Sequence, residues 1–549
     1  MKRLILFLLT ILSLNNPIVY AQSLPVGFPL LEEFYRRAQL LGQIDSSVSL
    51  AARPFFPSEV ISSSSRFHPD SLLRNRFSNG SFGHVKFGGS KGRFDLLPIT
   101  LHQQYNSHHP YGLNDGAIIP ARGYQTMLSA GIFAKYGPIS IQLRPEMIYA
   151  QNKEYDGFSQ KHSAEVWAEY YQTYLNKIDR PERFGTDAYH KLLWGQSSVR
   201  INVGPASVGL SNENLWWGPG INNSLIMTNS AGGFKHITLN TTKPVRTYIG
   251  SFEAQLIAGR LDNSGFPPPD TGRVYSGAKL FVPKPEDWRY INAGVIAYQP
   301  KWIPGLFLGL TRSFVINNRD LGKGLSDYLP IFIAFPKGSL PGKSLGENLR
   351  KRDQLSSVFA RWILLKEQAE IYFEYGRNDH AYNLRDLFLE PEHSRAYVVG
   401  LNKIFRLQNS KDKIIQINVE LTQLSISVAS TIRPVESWYS HYQVRDGYTN
   451  RGQLLGSGLG PGGNMQSFDI RLIRHLNTIG FKMERIVNNN DFHYSFIKKS
   501  KAHWVDLGLS LFAQKDFKSI ALNAKLLGLK SFNYQFLYEP KYEKSNDFL

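Results

Sequence analysis

The residues of this chain best suited to chemistry are cations and indoles, not nucleophiles. Arg144, Arg200 and Arg471 each stand on the polar side of a run in which apolar and polar residues alternate. A guanidinium so placed can grip a carboxylate or phosphate through two parallel N–H groups. It can equally be used up on a neighbouring acid, with Glu146, Asp469 and Glu420 as candidates. Trp216 and Trp217 lie in the run Ser211-Asn212-Glu213-Asn214-Leu215-Trp216-Trp217-Gly218-Pro219-Gly220. Indole faces stack on sugar rings, and Gly and Pro beside them let a loop approach a glycan closely. The competing reading packs both indoles under a loop or into an interfacial aromatic belt, with Gly218, Pro219 and Gly220 shaping a turn. Glu213 either accepts hydrogen bonds from sugar hydroxyls or pairs with an arginine.

Catalytic patterns are absent from the sequence. Glu374 and Asp379 are two carboxylates of the kind a glycosidase uses, but ordinary polar-face residues have the same appearance. His108-His109 lacks the spacing of a zinc site and reads as a solvated loop. No nucleophile elbow, phosphate-binding loop or dinucleotide fingerprint occurs. No cofactor and no metal are expected, and the chain is not expected to be an enzyme.

The elements that position these residues repeat with a period of two. Ile139, Ile141 and Leu143 alternate with Ser140, Gln142 and Arg144, and Val199, Ile201 and Val203 with Arg200 and Asn202. Ile371, Phe373 and Tyr375 alternate with Glu370, Tyr372 and Glu374, and Phe468, Ile470 and Leu472 with Asp469 and Arg471. The same pattern recurs near 252–258, 415–422 and 505–511. Such alternation separates the two faces of a strand. A water-soluble sandwich with its apolar face inward also alternates. Runs long enough to cross a bilayer (~9–11 residues) and aromatic residues at their ends favour a transmembrane barrel. Short connections at Tyr136-Gly137-Pro138, Gly204-Pro205-Ala206, Lys366-Glu367-Gln368 and Asn409–Asp412 suit periplasmic turns. Long Gly- and Pro-rich ones at 265–277, 335–353 and 456–463 suit extracellular loops or loops folded into the lumen.

Composition agrees. Of 549 residues, 42% are hydrophobic, 13% aromatic and only 19% charged, and there is no cysteine. Residues 1–21 read as a secretory signal: Lys2 and Arg3, an apolar stretch from Leu4 to Leu14, and a small-residue cleavage site at Ala21. The apolar stretch is shorter than the ~20 residues that span a membrane. The formal net charge is +19, spread along the chain with small clusters at Arg350-Lys351-Arg352 and Lys498-Lys499-Ser500-Lys501. In an exported chain that field favours lipopolysaccharide, acidic polysaccharide or anionic solutes, and nucleic acid is not an expected partner. Residues 22–90 read as a small, mostly helical periplasmic region. A helix over residues 30–41 is predicted from Leu30, Leu31, Phe34, Ala38 and Leu41, and Gly42 stops it.

The Trp-Trp-Gly-Pro-Gly run, followed by Ser224-Leu225 and Asn229-Ser230-Ala231, resembles the hallmark segment of the Wzi family of capsule assembly proteins, in particular Bacteroidetes-like members. Weaker matches follow in order: Asn114-Asp115-Gly116, Arg144-Pro145-Glu146, Phe373–Arg377, and Tyr448–Gly452 with Gly460–Gly463. The resemblance spans roughly residues 45 to 535. It implies an all-β transmembrane fold, a large antiparallel outer-membrane barrel of about 18 strands with helices on the periplasmic side. The expected division is 1–21 signal peptide, 22–90 periplasmic region, 91–549 barrel. The implied role is lectin-like: a monomer in the outer membrane that binds acidic capsular or extracellular polysaccharide. Candidate contacts are Glu213, Trp216, Trp217, Arg144, Arg200 and Arg471, with Gly218, Pro219, Gly220 and Asn229 shaping the loop. A porin-like channel for anionic solutes or polysaccharide is the alternative, and an outer-membrane enzyme the third. Phe532–Tyr538 reads as the final strand, leaving Glu539–Leu549 as a polar tail.

Overall fold

The computed structural model describes residues 22–62, 65, 67, 84–89, 91–333, 351–378, 384–408, 410, 412–427, 435–517, 520–538 and 547–548. The signal segment 1–21, Asp379 and nearly all of 335–353 lie outside the described residues.

Strands dominate, each paired antiparallel with its neighbour in sequence. The wall begins with β1 (His84–Phe87), β2 (Gly92–Asn106) and β3 (Gly123–Tyr136). Next come β4, in two pieces (Ile139–Leu143 and Glu146–Ala150), and β5, also in two (Tyr189–Leu193 and Ser198–Val203). The breaks fall together, at Arg144-Pro145 opposite Gly195, where proline cannot donate to a ladder. β6 (Ala206–Ser211), β7 (His236–Thr241), β8 (Gly250–Leu261), β9 (Arg289–Pro300) and β10 (Leu306–Asn317) follow. Then come β11 (Arg352–Leu364), β12 (Ala369–Asn378), β13 (Arg395–Arg406) and β14 (Lys413–Gln423). The wall ends with β15 (Asn464–Arg474), β16 (Asn477–Val487), β17 (Val505–Phe517) and β18 (Ile520–Phe532). The last long strand thus stops at Phe532. The segment expected as the closing strand is instead a turn, with a 3-10 helix at Tyr534–Phe536, because Asn533 and Gln535 take left-handed backbone angles.

The alternation resolves as a membrane wall. Ile139, Ile141 and Leu143 face out (38–48% exposed) while Ser140, Gln142 and Arg144 are buried (2–5%). Ile371 and Phe373 face out, and Glu370, Tyr372 and Glu374 are at most 3% exposed. A soluble barrel would have the opposite polarity, so the apolar outer face is one that meets lipid. Exposed aromatics mark the short-turn rim: Phe87, Tyr136, Trp302, Trp362, Phe405 and Phe517. Short turns therefore face the periplasm and long loops the outside.

The core lies inside the wall. Residues 212–235, 424–427 and 435–463 fold into the lumen and bury Trp217, Leu225, Met227, Phe234, Trp438, Tyr439 and Tyr448 against inward wall residues such as Ile291, Phe359 and Val398. Each large side chain so buried contributes about 1.5–3 kcal/mol. The predicted helix, α1, forms over Pro29–Leu40, with Gly42 left-handed after it. It does not stand beside the barrel. It enters the periplasmic mouth, and the wall starts at His84, seven residues before the boundary expected at 91.

Candidate functional site

The Trp-Trp-Gly-Pro-Gly segment is a wedge held by the wall. Trp216 and Trp217 pair with Arg53 and Ala52, so the N-terminal segment and the lumen loop form a two-stranded ribbon inside the barrel. The loop then turns sharply. At Gly218 (φ +131) a Cβ would lie 2.3 Å from Ser224 Oγ, and at Gly220 it would lie 1.8 Å from the Asn223 carbonyl oxygen. Neither position has room for a side chain. Two wall carboxylates anchor residues 221–225 beyond the turn. Glu420 accepts the backbone N–H groups of Ile221 (2.7 Å), Asn222 (3.1 Å) and Asn223 (2.8 Å), and the Tyr372 hydroxyl (2.8 Å). Glu374 accepts Ser224 Oγ (3.1 Å), Leu225 N–H (3.2 Å) and Ser357 Oγ (2.7 Å). Both carboxylates thus satisfy loop donors that would otherwise be buried unpaired. Glu374 is committed to this loop, and Asp379, the other carboxylate considered with it, lies outside the described residues. Asn229 joins a third loop to the wedge: its Nδ2 donates to the Asn114 carbonyl (2.7 Å) and its carbonyl accepts from Gly116 N–H (2.7 Å).

The six candidate contacts divide into two groups. Glu213, Arg200 and Trp217 are buried and do not line the large cavity. Glu213 is 0% exposed and Arg200 2%, and they form an ion pair at 2.6 Å. Ser23 of the N-terminal segment and Ser211 also donate to Glu213. Burial opposes ionisation of Glu213, but the Arg200 guanidinium and these hydroxyls outweigh it and hold the carboxyl below its ordinary value. Trp217 is fully buried, with Nε1 donating to Gln255 (2.9 Å).

Arg144, Trp216 and Arg471 instead line one cavity of about 2310 Å³ that extends from the N-terminal segment to the edges of β2 and β18. Trp216 carries the Arg53 guanidinium over its ring at 4.5 Å. Among the described residues, Arg144 Nη2 makes long contacts alone, to the Pro98 carbonyl (3.4 Å) and Thr100 (3.5 Å). Arg144 Nε and Trp216 Nε1 have no acceptor among the described residues. Arg471 is paired with Asp469 (2.7 Å) and Glu33.

Sequence reasoning missed the latch at the periplasmic mouth. Glu370 on β12 sits between Arg36 of α1 (2.7 Å) and Arg361 of β11 (2.6 Å). Arg36 also reaches the Pro219 carbonyl (2.7 Å), and Arg361 reaches Gln39 (2.9 Å) and the Ser49 carbonyl (2.6 Å). Polar parity places Glu370 on the inner face, but only the fold shows that α1 supplies its partner. His109 is buried (9% exposed) against Tyr534, not solvated as its polar surroundings suggest. No metal-binding cluster occurs among the described residues.

Residues 109–525 match the family model of the capsule assembly protein Wzi. The chain belongs to that family. A solved Wzi of Escherichia coli, described as an outer-membrane protein involved in group 1 capsule assembly and a carbohydrate-binding β-barrel, superposes with a TM-score of 0.57 at 14% identity, covering 93% of this chain and 96% of its own. OprD of Pseudomonas aeruginosa (TM-score 0.34, 8% identity, 80% of this chain and 88% of its own) and OccAB2 of Acinetobacter baumannii (0.33, 10%, 74% and 86%) are more distant. No curated protein matches the chain by sequence. Family, lipid-facing wall and turn asymmetry together make this an outer-membrane β-barrel of the Wzi family.

Proposed function

We propose that this protein is a non-catalytic, lectin-like barrel that holds exported acidic capsular or extracellular polysaccharide at the cell surface. The observation that carries the reading is the filled lumen. Residues 212–235, 424–427 and 435–463 pack as a hydrophobic core against the inner faces of the strands from β8 to β16, an arrangement that suits retention better than passage and argues against the porin-like alternative. Fold alone does not assign a ligand. The polymer is proposed because the E. coli family member is described as carbohydrate-binding and because the cavity sets the Trp216 indole and the Arg144 guanidinium, each with an N–H that has no acceptor among the described residues, on one lining. In this reading Arg144, Trp216 and Arg471 meet the ligand. Glu213, Arg200 and Trp217, with Gly218, Pro219, Gly220 and Asn229, hold the loop that shapes the cavity. The barrel sits as a single copy among outer-membrane lipids, including lipopolysaccharide. Many weak sites along one long polymer supply avidity. The test is retention of the purified, detergent-solubilised chain on the producing cell's own immobilised acidic polysaccharide. Specific retention is expected, and its absence ends the reading.

A further inference from the structure

The loop between β16 and β17, residues 488–504, is a rigid platform whose charge is one-sided. Its only carboxylate, Asp491, is turned inward (5% exposed) and is bound by Ser437 Oγ (2.6 Å) and Ile426 N–H (2.9 Å). Its three lysines, Lys498, Lys499 and Lys501, are all exposed, and none forms an ion pair among the described residues. Arg485, exposed at the top of β16, adds a fourth cation next to the loop.

The loop is held by its own hydrogen bonds. Asn489 caps the first helical turn by accepting from Phe492 N–H (3.2 Å). His493 Nε2 meets the Lys499 carbonyl (3.0 Å), and Ala502 N–H donates to the same carbonyl (2.8 Å). Asn533 Nδ2 donates to the carbonyls of Lys501 and His503 (both 2.8 Å). Beneath lie Phe492, Ile497, Ala502 and Phe536, all buried. Beside the lysines stands Tyr494, 64% exposed, whose ring meets His503 at 5.1 Å between centroids. His503 lies against His493, with ring centres 3.6 Å apart and planes tilted by 40°. Burial, then the neighbouring His493 and Arg485, push the His503 imidazole below its ordinary value.

Cations at fixed spacing beside a free aromatic face suit a chain that alternates negative charge with flat, partly apolar rings. We infer that loop 488–504 is an extracellular binding site for a polysaccharide bearing carboxylate or phosphate groups, with Lys498, Lys499 and Lys501 meeting the anions and Tyr494 stacking on a sugar ring. This rests on the polysaccharide-holding reading and adds to it a second contact surface, outside the lumen cavity. Ammonium groups in solvent attract anions through a field that salt screens, and each contributes little alone. Binding here therefore depends on several charges acting on one polymer.

The experiment compares the full-length protein with the triple variant Lys498→Ala/Lys499→Ala/Lys501→Ala and with the charge-keeping triple arginine variant. Probes are polygalacturonate, neutral dextran and vesicles of phosphatidylglycerol, at low and high salt. Heat-modifiable gel mobility checks that each variant is folded. The triple alanine variant is expected to bind polygalacturonate roughly tenfold more weakly and with a smaller salt dependence. The arginine variant restores binding, and dextran behaviour does not change. Equal polygalacturonate binding by wild type and triple alanine variant overturns this site and leaves the function proposed above standing. Loss of vesicle binding with polygalacturonate binding intact also overturns it, because the anion recognised is then lipid. Failure of the wild type on polygalacturonate overturns the site as well, and failure on the cell's own polymer overturns the broader reading with it.

Discussion

Arg200 Nη2 and the Glu213 carboxylate meet at 2.6 Å with neither side chain more than 2% exposed. The pair ties wall strand β5 to the lumen loop, and Ser23 ties the N-terminal segment to the same carboxylate. Arg200→Ala leaves a buried carboxylate without its cation and is expected to destabilise the barrel by about 3–5 kcal/mol. Glu213→Gln keeps the shape and is milder. Urea unfolding in detergent, followed by tryptophan fluorescence, ranks the two. Equal, negligible effects would show that the pair does not hold the loop.

Gly218 and Gly220 permit the turn only because they lack a side chain. Gly218→Ala and Gly220→Ala each place a methyl group within 2.3 Å of an existing oxygen. Both are expected to lower the yield of folded, heat-modifiable barrel. Pro219→Ala, which adds no atoms to either contact, is expected to be tolerated.

The two tryptophans separate binding from stability. Trp217 is fully buried, so Trp217→Ala should cost about 3–5 kcal/mol, while Trp217→Phe keeps most of the packing and full polysaccharide retention. Trp216 lines the cavity, and Trp216→Phe is expected to fold normally and retain less polymer. Retention assays on the two folded phenylalanine variants read the difference directly.

Asp491 makes the outer loops sensitive to pH in a defined direction. Burial pushes its carboxyl up to about 6 from an ordinary 3.8, with Ser437 and Ile426 partly opposing the rise. The folded state therefore holds this proton more tightly than the unfolded state does. The stabilisation is fully present below pH 3.8 and is lost as pH rises through about 6. The protection factor of the Ile426 amide, which takes out the intrinsic rise of exchange with pH, should fall across that interval in the wild type, and Asp491→Asn should remove the fall.

Much of this was legible in the sequence because a membrane wall imposes a strict two-residue rule. Ile139 to Arg144 and Ile371 to Glu374 point the opposite way to the residues of a soluble strand, and that polarity reverses only when lipid lies outside. The helix at 29–40 was legible from its apolar spacing, but its place was not: Arg36 and Glu370 are 334 residues apart, and nothing local joins them. The Trp-Trp motif marked the right loop, while its charged neighbours suit ligand contacts and ion pairs equally well by type alone. For Arg200 and Glu213 the ion pair prevails, since a side chain buried on every face needs a partner more than a surface one does. Phe532–Tyr538 has strand-like residue types, yet left-handed angles at Asn533 and Gln535 turn the chain away.

The most direct measurement is the division of polysaccharide between cell surface and medium after deletion of the gene encoding this chain. Surface polymer should fall and free polymer rise while the total stays constant, and the wild-type gene should restore the balance. An unchanged division, with the barrel shown to be present and folded in the parent cell, would contradict the claim that this protein holds polysaccharide at the surface.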